Sequence, residues 1–273
     1  MLLFFFNFSF FNVQPLHAQQ LYEQSVRQIV EALAADSLEK AKGMIEQTIK
    51  LDPARKSNAI LYQYLGSIYV RQGQSDKALE AYTKGIGLSP TSPDLLLGRA
   101  SLYLQTNNQE LALADYTKAL ETEPDNEEAL FFRAYIYSCR RQYKEARADY
   151  NHLLDLNPMH EDARLGLALL NSKDGRPREA LEQMNALVQF HPTHAKHYLA
   201  RSSLFERRKE YEKAMQDVET AIELEPKNPD CYLSRASLYL AMKKKRLAQQ
   251  DCRTAISLGA TAEQVAPLLR DMK

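Results

Sequence analysis

The small and apolar positions of this chain recur with a period of 34 residues. Five prolines stand 34 residues apart, at Pro90, Pro124, Pro158, Pro192 and Pro226. Twelve residues before each proline stands an alanine: Ala78, Ala112, Ala146, Ala180 or Ala214. Twenty-four residues before each proline stands another small residue: Gly66, Ala100, Ala134, Ala168 or Ser202. A fixed period of this length is the signature of a repeat architecture.

Each period predicts two antiparallel helices. Small residues let two helices approach closely, and the large residues that share the phase, such as Tyr69 and Tyr82, fill the space beside the crossing. Proline ends the second helix because it lacks an N–H and clashes with the preceding turn. Helix-forming residues dominate the composition, and the chain has only 9 glycines. So few glycines disfavour a parallel α/β enzyme, which needs glycine-rich turns after its strands.

The pattern resembles the tetratricopeptide repeat family. The motif of that family has small residues at repeat positions 8 and 20, aromatic residues near positions 4, 11 and 24, and a closing proline at position 32. The resemblance implies an all-α fold, a right-handed α-α superhelical solenoid in which each repeat is buried by its neighbours. It implies six repeats, at 59–92, 93–126, 127–160, 161–194, 195–228 and 229–262.

The two ends of the array depart from the motif. The last repeat has Ala260 where proline is expected, and residues 263–273 then predict a short capping helix with Thr261 as its N-cap and Pro267 limiting it. Residues 19–58 predict a degenerate N-terminal helix pair. Three residues fit its second helix: Ala41, Ile45 and Thr48.

Residues 1–18 form a separate segment. It begins with the apolar run MLLFFFNFSFFNV, which is too short to span a bilayer, since a span takes about 20 apolar residues. The run suits the apolar region of a secretory signal peptide with cleavage after Ala18, although no basic residue precedes Arg27. An apolar helix docked on the fold is the alternative. On the signal-peptide interpretation we expect an exported protein, periplasmic or extracellular.

Charged residues follow the same period. Position 7 of four repeats is arginine, and position 23 of those same repeats is aspartate: Arg99 with Asp115, Arg133 with Asp149, Arg201 with Asp217, and Arg235 with Asp251. The other two repeats have Leu65 and Leu167 at position 7 and no aspartate at position 23. We hypothesise a bidentate arginine–aspartate pair within each of the four repeats, which would fix the register of its two helices.

The resemblance also implies a binding surface. In the family, the first helices of the repeats line a concave groove, into which positions 2, 5, 9, 12 and 13 point. The candidate partner-binding residues are Gln63, Ser67, Leu97, Ser101, Phe131, Tyr135, Leu165, Leu169, Lys173 and Arg207. Phe131 and Tyr135 are the first choice of anchors for an extended or helical peptide. Alternatively, the apolar members only pack between neighbouring helices.

Composition and missing motifs limit the function. The 35 Lys and Arg residues balance the 35 Asp and Glu residues, so a nucleic-acid partner is not expected. No nucleotide, hydrolase or metalloprotease motif is present, so we expect no catalytic residues and no cofactor. The sequence predicts a non-catalytic scaffold that binds a protein or peptide. The alternatives are an accessory subunit of a cell-envelope enzyme or transport assembly, and an enzyme of unrecognised type.

The histidines and cysteines raise two further possibilities. His191, His194 and His197 have a spacing that could bind zinc, but Pro192 and the repeat boundary interrupt any single helix, so the three rings need not converge and no metal site is predicted. Cys231 and Cys252 stand on the two helices of one repeat. A disulfide between them is conceivable, and two separate buried thiols are the favoured interpretation. Cys139 completes the three cysteines of the chain.

Overall fold

A computed structural model describes residues 13–271 of the chain, with the side chains of residues 18–270. Within that range every regular element is an α-helix. The helices of the N-terminal part are α1 (Val13–Ala34), α2 (Leu38–Leu51), α3 (Asn58–Arg71), α4 (Ser75–Leu88), α5 (Pro93–Gln105), α6 (Gln109–Thr122) and α7 (Glu127–Cys139). The helices of the C-terminal part are α8 (Tyr143–Leu156), α9 (Glu161–Lys173), α10 (Pro177–Phe190), α11 (Ala195–Arg207), α12 (Tyr211–Leu224), α13 (Pro229–Ala241), α14 (Lys245–Ser257) and α15 (Ala262–Asp271).

The chain forms two compact units, residues 1–133 and residues 134–273. The division falls inside α7. The apolar run 1–12 lies outside the described residues, so the predicted signal peptide is described only from Val13 onward, where α1 begins. None of the described helices combines the length and the apolar character that crossing a bilayer requires.

The helix starts confirm the period of 34 residues. The first helices of successive pairs begin at Pro93, Glu127, Glu161, Ala195 and Pro229. The second helices begin at Ser75, Gln109, Tyr143, Pro177, Tyr211 and Lys245. The two helices of each pair are joined by a turn of three residues, as between Arg71 and Ser75. A connection this short forces the two helices into an antiparallel pair.

The turn inside each pair uses one left-handed residue. Its φ lies between 59° and 72° at Gly73, Asn107, Arg141, Gly175, Lys209 and Lys243. The backbone N–H of the following residue donates to a carbonyl five residues earlier, at 2.7 to 2.9 Å, in all six turns. This is the Schellman arrangement, which satisfies the free carbonyls at a helix end. Glycine occupies only two of the six positions, so the other four residues adopt a conformation that costs a residue with a Cβ about 1–2 kcal/mol.

Small residues bring the helices of the N-terminal unit into close contact. Ala78 and Ala112 are fully buried at the crossings, as predicted. The ring of Tyr82 lies against the backbone of α3 and of α5, where a Cβ added at Gly66 would stand 2.5 Å from the ring and one added at Gly98 would stand 2.6 Å from it. Glycine is therefore required at both positions for this ring to fit. The degenerate N-terminal pair is closed by an apolar cluster that includes Ile29, Ala41, Ile45, Leu61 and Ile68.

The C-terminal unit is built by the same rule. Ala146, Ala180, Ala214 and Ala248 are fully buried. Beside them, the large position of each pair is filled by a buried side chain of varying type: Tyr150, Met184, Val218 or Cys252. From repeat to repeat, the residue type thus varies more at this large position than at the small position opposite it. A polarizable or branched side chain can fill the space that tyrosine fills in the other repeats.

α15 covers the end of the last pair. Its residue Val265 is buried against α13 and α14. The predicted N-cap is confirmed: the backbone N–H of Gln264 donates to Oγ1 of Thr261 at 3.3 Å, and the Thr261 N–H donates to Oε1 of Gln264 at 2.8 Å. The prediction that Pro267 limits the helix was wrong, because α15 continues to Asp271. Pro267 is exposed, so water can hydrate the carbonyl that its missing N–H leaves free.

The arginine–aspartate hypothesis is confirmed in three repeats. Both Nε and Nη2 of the arginine donate to the two carboxylate oxygens in Arg99–Asp115 at 2.8 and 2.9 Å, in Arg201–Asp217 at 2.8 and 2.6 Å, and in Arg235–Asp251 at 2.8 and 2.8 Å. The three aspartates are buried, at 4 to 6% exposure. Each pair joins the two helices of one repeat. The fourth pair, Arg133 with Asp149, stays a prediction, because its members fall on opposite sides of the division between the units.

The cysteines are free thiols. Cys231 and Cys252 are buried, and each packs into a different apolar cluster of the C-terminal unit. This confirms the interpretation of two separate buried thiols. Cys139, at the end of α7, is exposed.

Candidate functional site

A cavity of about 300 Å³ opens between α3 and α5 in the N-terminal unit. Four of the predicted partner-binding residues line it: Gln63, Ser67, Leu97 and Ser101. Gln63 and Ser67 stand four residues apart on α3, and Leu97 and Ser101 stand four residues apart on α5. Residues four apart lie on one face of a helix, so all four side chains face the same space. The structure therefore brings together the predicted residues of the first two repeats.

The floor of the cavity is apolar and well packed. Tyr82, Leu97 and Leu102 are buried there, at 4 to 8% exposure. Gly98 also lines the cavity, and its missing side chain leaves room for the Tyr82 ring beneath it. Burial raises the pKa of the Tyr82 hydroxyl, so this group stays neutral at physiological pH. Val70 adds exposed apolar surface at the edge, at 39%.

The rim of the cavity carries negative charge. Asp94 and Glu128 line it and are both exposed, and none of the described residues around it is a lysine or arginine. A site with two carboxylates and no cation attracts positively charged groups. These two acids were not among the residues predicted from the sequence. A signal for them existed, because both stand at position 2 of their repeats, one of the positions that face the groove in the family.

The two predicted anchors differ in exposure. Phe131 is half-buried and packs edge-on against Phe132, with the ring centroids 5.3 Å apart. Tyr135 is 46% exposed. A hydrogen bond with the Cys139 thiol, one turn later on α7, raises the pKa of the Tyr135 hydroxyl. Phe131 lies in the N-terminal unit and Tyr135 in the C-terminal unit.

The remaining predicted residues lie in the C-terminal unit. Leu169 is 50% exposed, while Leu165, one turn earlier on α9, is half-buried and packs against the buried cluster around Met184. Lys173 is exposed and lines a cavity of about 420 Å³ near Cys139 and Tyr143. Nη1 of Arg207 donates to Oγ of Ser172 at 2.8 Å.

Three histidines converge at the turn between α10 and α11. The ring centroids of His191, His194 and His197 lie 5.2 to 5.6 Å from one another. Nothing in the sequence predicted this convergence, because Pro192 and the repeat boundary interrupt any single helix here. The interruption is what brings them together, because His191 follows the last residue of α10 and His194 is the N-cap of α11, so the tight turn folds one ring onto the next.

Glu161 completes this cluster. Its Oε2 lies 3.2 Å from Nδ1 of His194 and 3.7 Å from Nδ1 of His191, and its Oε1 lies 3.2 Å from Nε2 of His197. Partial burial acts to raise the pKa of Glu161, but the Lys196 ammonium and the nearby imidazoles hold it below its usual value. Desolvation lowers the pKa of His197, against the pull of Glu161. At neutral pH the cluster thus combines an ionised carboxylate with a neutral buried imidazole.

Comparison with protein-family models identifies three matches. A TPR repeat model matches residues 66–107. One tetratricopeptide repeat model matches residues 93–126, and another matches residues 140–195 and residues 172–229. No curated protein matches the chain in a sequence search.

Solved structures share the fold. A tetratricopeptide repeat protein from Parabacteroides merdae ATCC 43184 has a TM-score of 0.68 and 29% identity, over 93% of this chain and 99% of the other. PilF of Pseudomonas aeruginosa has a TM-score of 0.62 and 19% identity, over 79% of this chain and 99% of its own. YrrB, a tetratricopeptide repeat protein, has a TM-score of 0.53 and 22% identity, over 70% and 99% of the two chains.

These comparisons agree with the helix pairs and their period of 34 residues. The fold class predicted from the sequence, an all-α fold built of helical repeats, is confirmed. The fold suggests a protein–protein interaction scaffold, and proteins of this kind are in general non-catalytic. The chain belongs to the tetratricopeptide repeat family.

Proposed function

We propose that this protein is a non-catalytic scaffold that binds a peptide segment of a partner protein in the cavity between α3 and α5. The observation that carries the proposal is that Gln63, Ser67, Leu97 and Ser101 line one open cavity. Polar groups around an apolar floor are the usual composition of a site that orients a ligand and buries part of it. The cavity is large enough for one or two side chains, not for a folded domain.

The charge of the cavity selects the peptide. Its rim has the carboxylates of Asp94 and Glu128, its floor has the apolar surface of Leu97, and its edge has that of Val70. A segment with an apolar side chain next to a lysine or arginine meets both demands. Gln63, Ser67 and Ser101 can hydrogen-bond the peptide backbone, which contributes affinity without reading the sequence.

One structural neighbour supports a binding role for the same fold. YrrB is described as a tetratricopeptide repeat protein with an unusual peptide-binding site. At 22% identity this neighbour supports the fold as a platform for peptides and does not indicate which residues bind. We extend the proposal to the exposed apolar residues Tyr135 and Leu169, which offer a second contact surface on the C-terminal unit.

The test is selection of peptides from a random library displayed on phage, with the full chain as bait. The selected peptides should combine basic and apolar residues, and their affinity should fall as salt rises. Ser67→Arg places a cation and a long side chain in the cavity, so it should abolish binding. Ala114→Arg adds the same side chain at an exposed position of α6 outside the cavity and should leave binding intact.

The results distinguish a peptide site between α3 and α5 from the alternative role of an accessory subunit. Peptides that bind wild type and Ser67→Arg equally, or peptides rich in acidic residues, would contradict a site between α3 and α5. Capture from native envelope extract gives a second criterion. A protein that co-purifies in a stable, stoichiometric complex and resists competition by the selected peptides would favour an accessory subunit of a larger assembly.

We further propose that the protein is exported, with residues 1–18 as its signal peptide. The support is the apolar run 1–13 and the small residue Ala18. α1 begins at Val13, so cleavage after Ala18 would remove its first residues and leave Gln19 at the new terminus. N-terminal sequencing of the protein from its native cells should give Gln19 as the first residue. An intact Met1 in the cytoplasmic fraction would disprove export.

A further inference from the structure

Four side chains with metal-binding atoms meet at the N-terminus of α9 and the turn between α10 and α11. Glu161 is the first residue of α9, His191 follows α10, His194 precedes α11, and His197 lies in the first turn of α11. The ligand atoms of Glu161, His194 and His197 all lie within 4.8 Å of one another. His191 adds a fourth ring, with its Nδ1 3.7 Å from Oε2 of Glu161.

The backbone of the turn holds this geometry. The His191 N–H donates to the Leu187 carbonyl at 2.9 Å, the His194 N–H donates to the His191 carbonyl at 3.2 Å, and the His197 N–H donates to the His194 carbonyl at 3.0 Å. His191 also contacts the Met159 carbonyl through Nε2 at 3.2 Å. The three rings are therefore placed by hydrogen-bonded backbone, and a ligand would not have to order a loose loop first.

His197 points its polar edge into the cluster. The side chain is 1% exposed, and its Nδ1 has no hydrogen-bond partner in the described part of the chain. Its one polar contact is that of Nε2 with Glu161. A buried imidazole normally has partners for its polar atoms. Nε2 of this ring, 3.2 Å from the Glu161 carboxylate and with the His194 ring centroid 5.2 Å from its own, is placed where it can serve as a metal ligand.

We propose that Glu161, His194 and His197 form a binding site for a divalent transition-metal ion of the zinc class, with His191 as a fourth ligand. Imidazole nitrogen and carboxylate oxygen are the donors that Zn²⁺ takes, at about 2.0–2.2 Å. Tetrahedral coordination at that bond length brings ligand atoms to about 3.3–3.5 Å from one another. Oε2 of Glu161 lies 3.2 Å from Nδ1 of His194, and Oε1 of Glu161 lies 3.2 Å from Nε2 of His197, so both distances fall just under that spacing and small side-chain shifts would admit the ion. This proposal is independent of the peptide site on the N-terminal unit.

Lys196 competes with the metal ion. Its ammonium contacts Oε1 of Glu161, the oxygen that also contacts His197. The lysine side chain is 62% exposed, so it can leave the carboxylate for water when the ion enters. An exposed ion pair of this kind is worth little, and its loss costs the site only a small part of its affinity. Removal of Lys196 should therefore tighten metal binding.

A bound ion would link three successive elements of the C-terminal unit. Glu161 belongs to α9, His191 to the end of α10, and His194 and His197 to α11. In the folded chain these groups stand together, whereas in the unfolded chain 36 residues separate Glu161 from His197. An ion that binds only the assembled site stabilises the folded state by mass action. The proposed role is thus a structural link between adjacent repeats.

The test uses the full chain, free of any histidine tag and stripped of metal with a chelator. Zn²⁺ binding is measured by competition with a chromophoric chelator, and thermal unfolding is followed with and without Zn²⁺. Wild type should bind one Zn²⁺ and unfold at a higher temperature when it is bound. Glu161→Gln and His194→Ala should each weaken binding by at least about 10- to 100-fold, the loss that even an outer partner of a metal site causes.

Two further variants sharpen the result. His152→Ala removes a histidine of α8 that is not part of the cluster and should leave affinity unchanged. Lys196→Met should tighten binding, by up to about fivefold, the worth of one exposed ion pair. Circular dichroism shows that each variant retains its helix content, and both His194 and Glu161 are partly exposed, so loss of folding is not expected. No saturable binding by wild type, or equal affinity in wild type and His194→Ala, would overturn the proposal.

Discussion

The guanidinium of Arg99 and the carboxylate of Asp115 form two parallel hydrogen bonds across one helix pair, at 2.8 and 2.9 Å. The aspartate is 6% exposed, so it depends on the arginine for its hydrogen bonds. The same hydrogen bonds raise the pKa of Arg99, so its guanidinium stays positively charged. In the preceding repeat the equivalent positions hold two uncharged residues, Leu65 and Ala81, and both are buried.

Removal of one partner should destabilise the N-terminal unit far more than removal of both. Arg99→Leu leaves a buried carboxylate without its cation, and we expect a loss of about 3–5 kcal/mol in the free energy of unfolding. The double variant Arg99→Leu/Asp115→Ala copies the pair Leu65 and Ala81, and we expect it to recover most of that loss. Urea denaturation of wild type, both single variants and the double variant measures the coupling. Additive losses would show that the pair does not act as a unit.

The close contact between Gly66 and Tyr82 makes a second prediction. A Cβ at position 66 would stand 2.5 Å from Cε1 of the tyrosine, closer than real Cβ atoms come to another heavy atom. The ring is also held against Gly98 on its other side, where an added Cβ would stand 2.6 Å from it, so Gly66→Ala should destabilise the protein by about 1–3 kcal/mol. The matched control is Gly43→Ala in the interior of α2, where nothing lies within 4 Å. That variant should gain up to about 1 kcal/mol from helix propensity. Equal effects in urea denaturation would contradict the packing argument.

The repeat pattern predicted the helices, their period and the arginine–aspartate pairs because each depends on residues close in sequence or equivalent between repeats. The 16 residues that separate Arg99 from Asp115 recur in the other pairs, so the pairing was visible without coordinates. Convergence of Glu161 with His197 was not visible, because it depends on how three helices of successive repeats pack at their ends. The pattern of small and large residues sets that packing but does not state which polar groups face each other.

Two other features illustrate the same limit. Asp94 and Glu128 share a repeat position, yet only the structure shows that both border one cavity with Leu97. Pro267 is a helix breaker by its chemistry, and whether it ends a helix depends on whether water can reach the carbonyl it leaves free. At an exposed position of α15 water can reach it, and the helix continues.

The left-handed residue of the last turn, Lys243, predicts a stabilising substitution. Its φ is 61°, a conformation that costs a residue with a Cβ about 1–2 kcal/mol and glycine almost nothing. Lys243→Gly removes that cost but gives the unfolded chain more freedom, so we expect a net gain of about 0.5–1 kcal/mol. In the reverse experiment Gly175→Ala, at φ 72°, should lose about 1 kcal/mol or more. Thermal unfolding of both variants measures the two effects. A destabilised Lys243→Gly would show that its side chain has a role that outweighs the backbone strain.

The thiols should differ sharply in reactivity. Cys139 is exposed, whereas Cys231 and Cys252 are buried. Burial raises the pKa of Cys231 from 9.0 to about 11, so at pH 8 only about one thiol in a thousand is ionised, and solvent does not reach it. With a thiol reagent at pH 8, the native protein should react quickly at one cysteine and at all three only after unfolding. Rapid reaction of two or more thiols in the native state would contradict the buried positions.

The raised pKa of Cys231 should make the C-terminal unit less stable at alkaline pH. Below pH 9 the Cys231 thiol is protonated in both the folded and the unfolded state, so its contribution is fully present. As pH rises from 9 towards 11, the unfolded state loses its proton first, and folding loses stability by an amount on the order of 2 kcal/mol. Cys231→Ala removes this titration, so the difference in unfolding free energy between the variant and wild type should shrink over that interval. Denaturation at pH 8, 9, 10 and about 11 measures it. A difference that stays constant across these pH values would show that Cys231 titrates alike in both states.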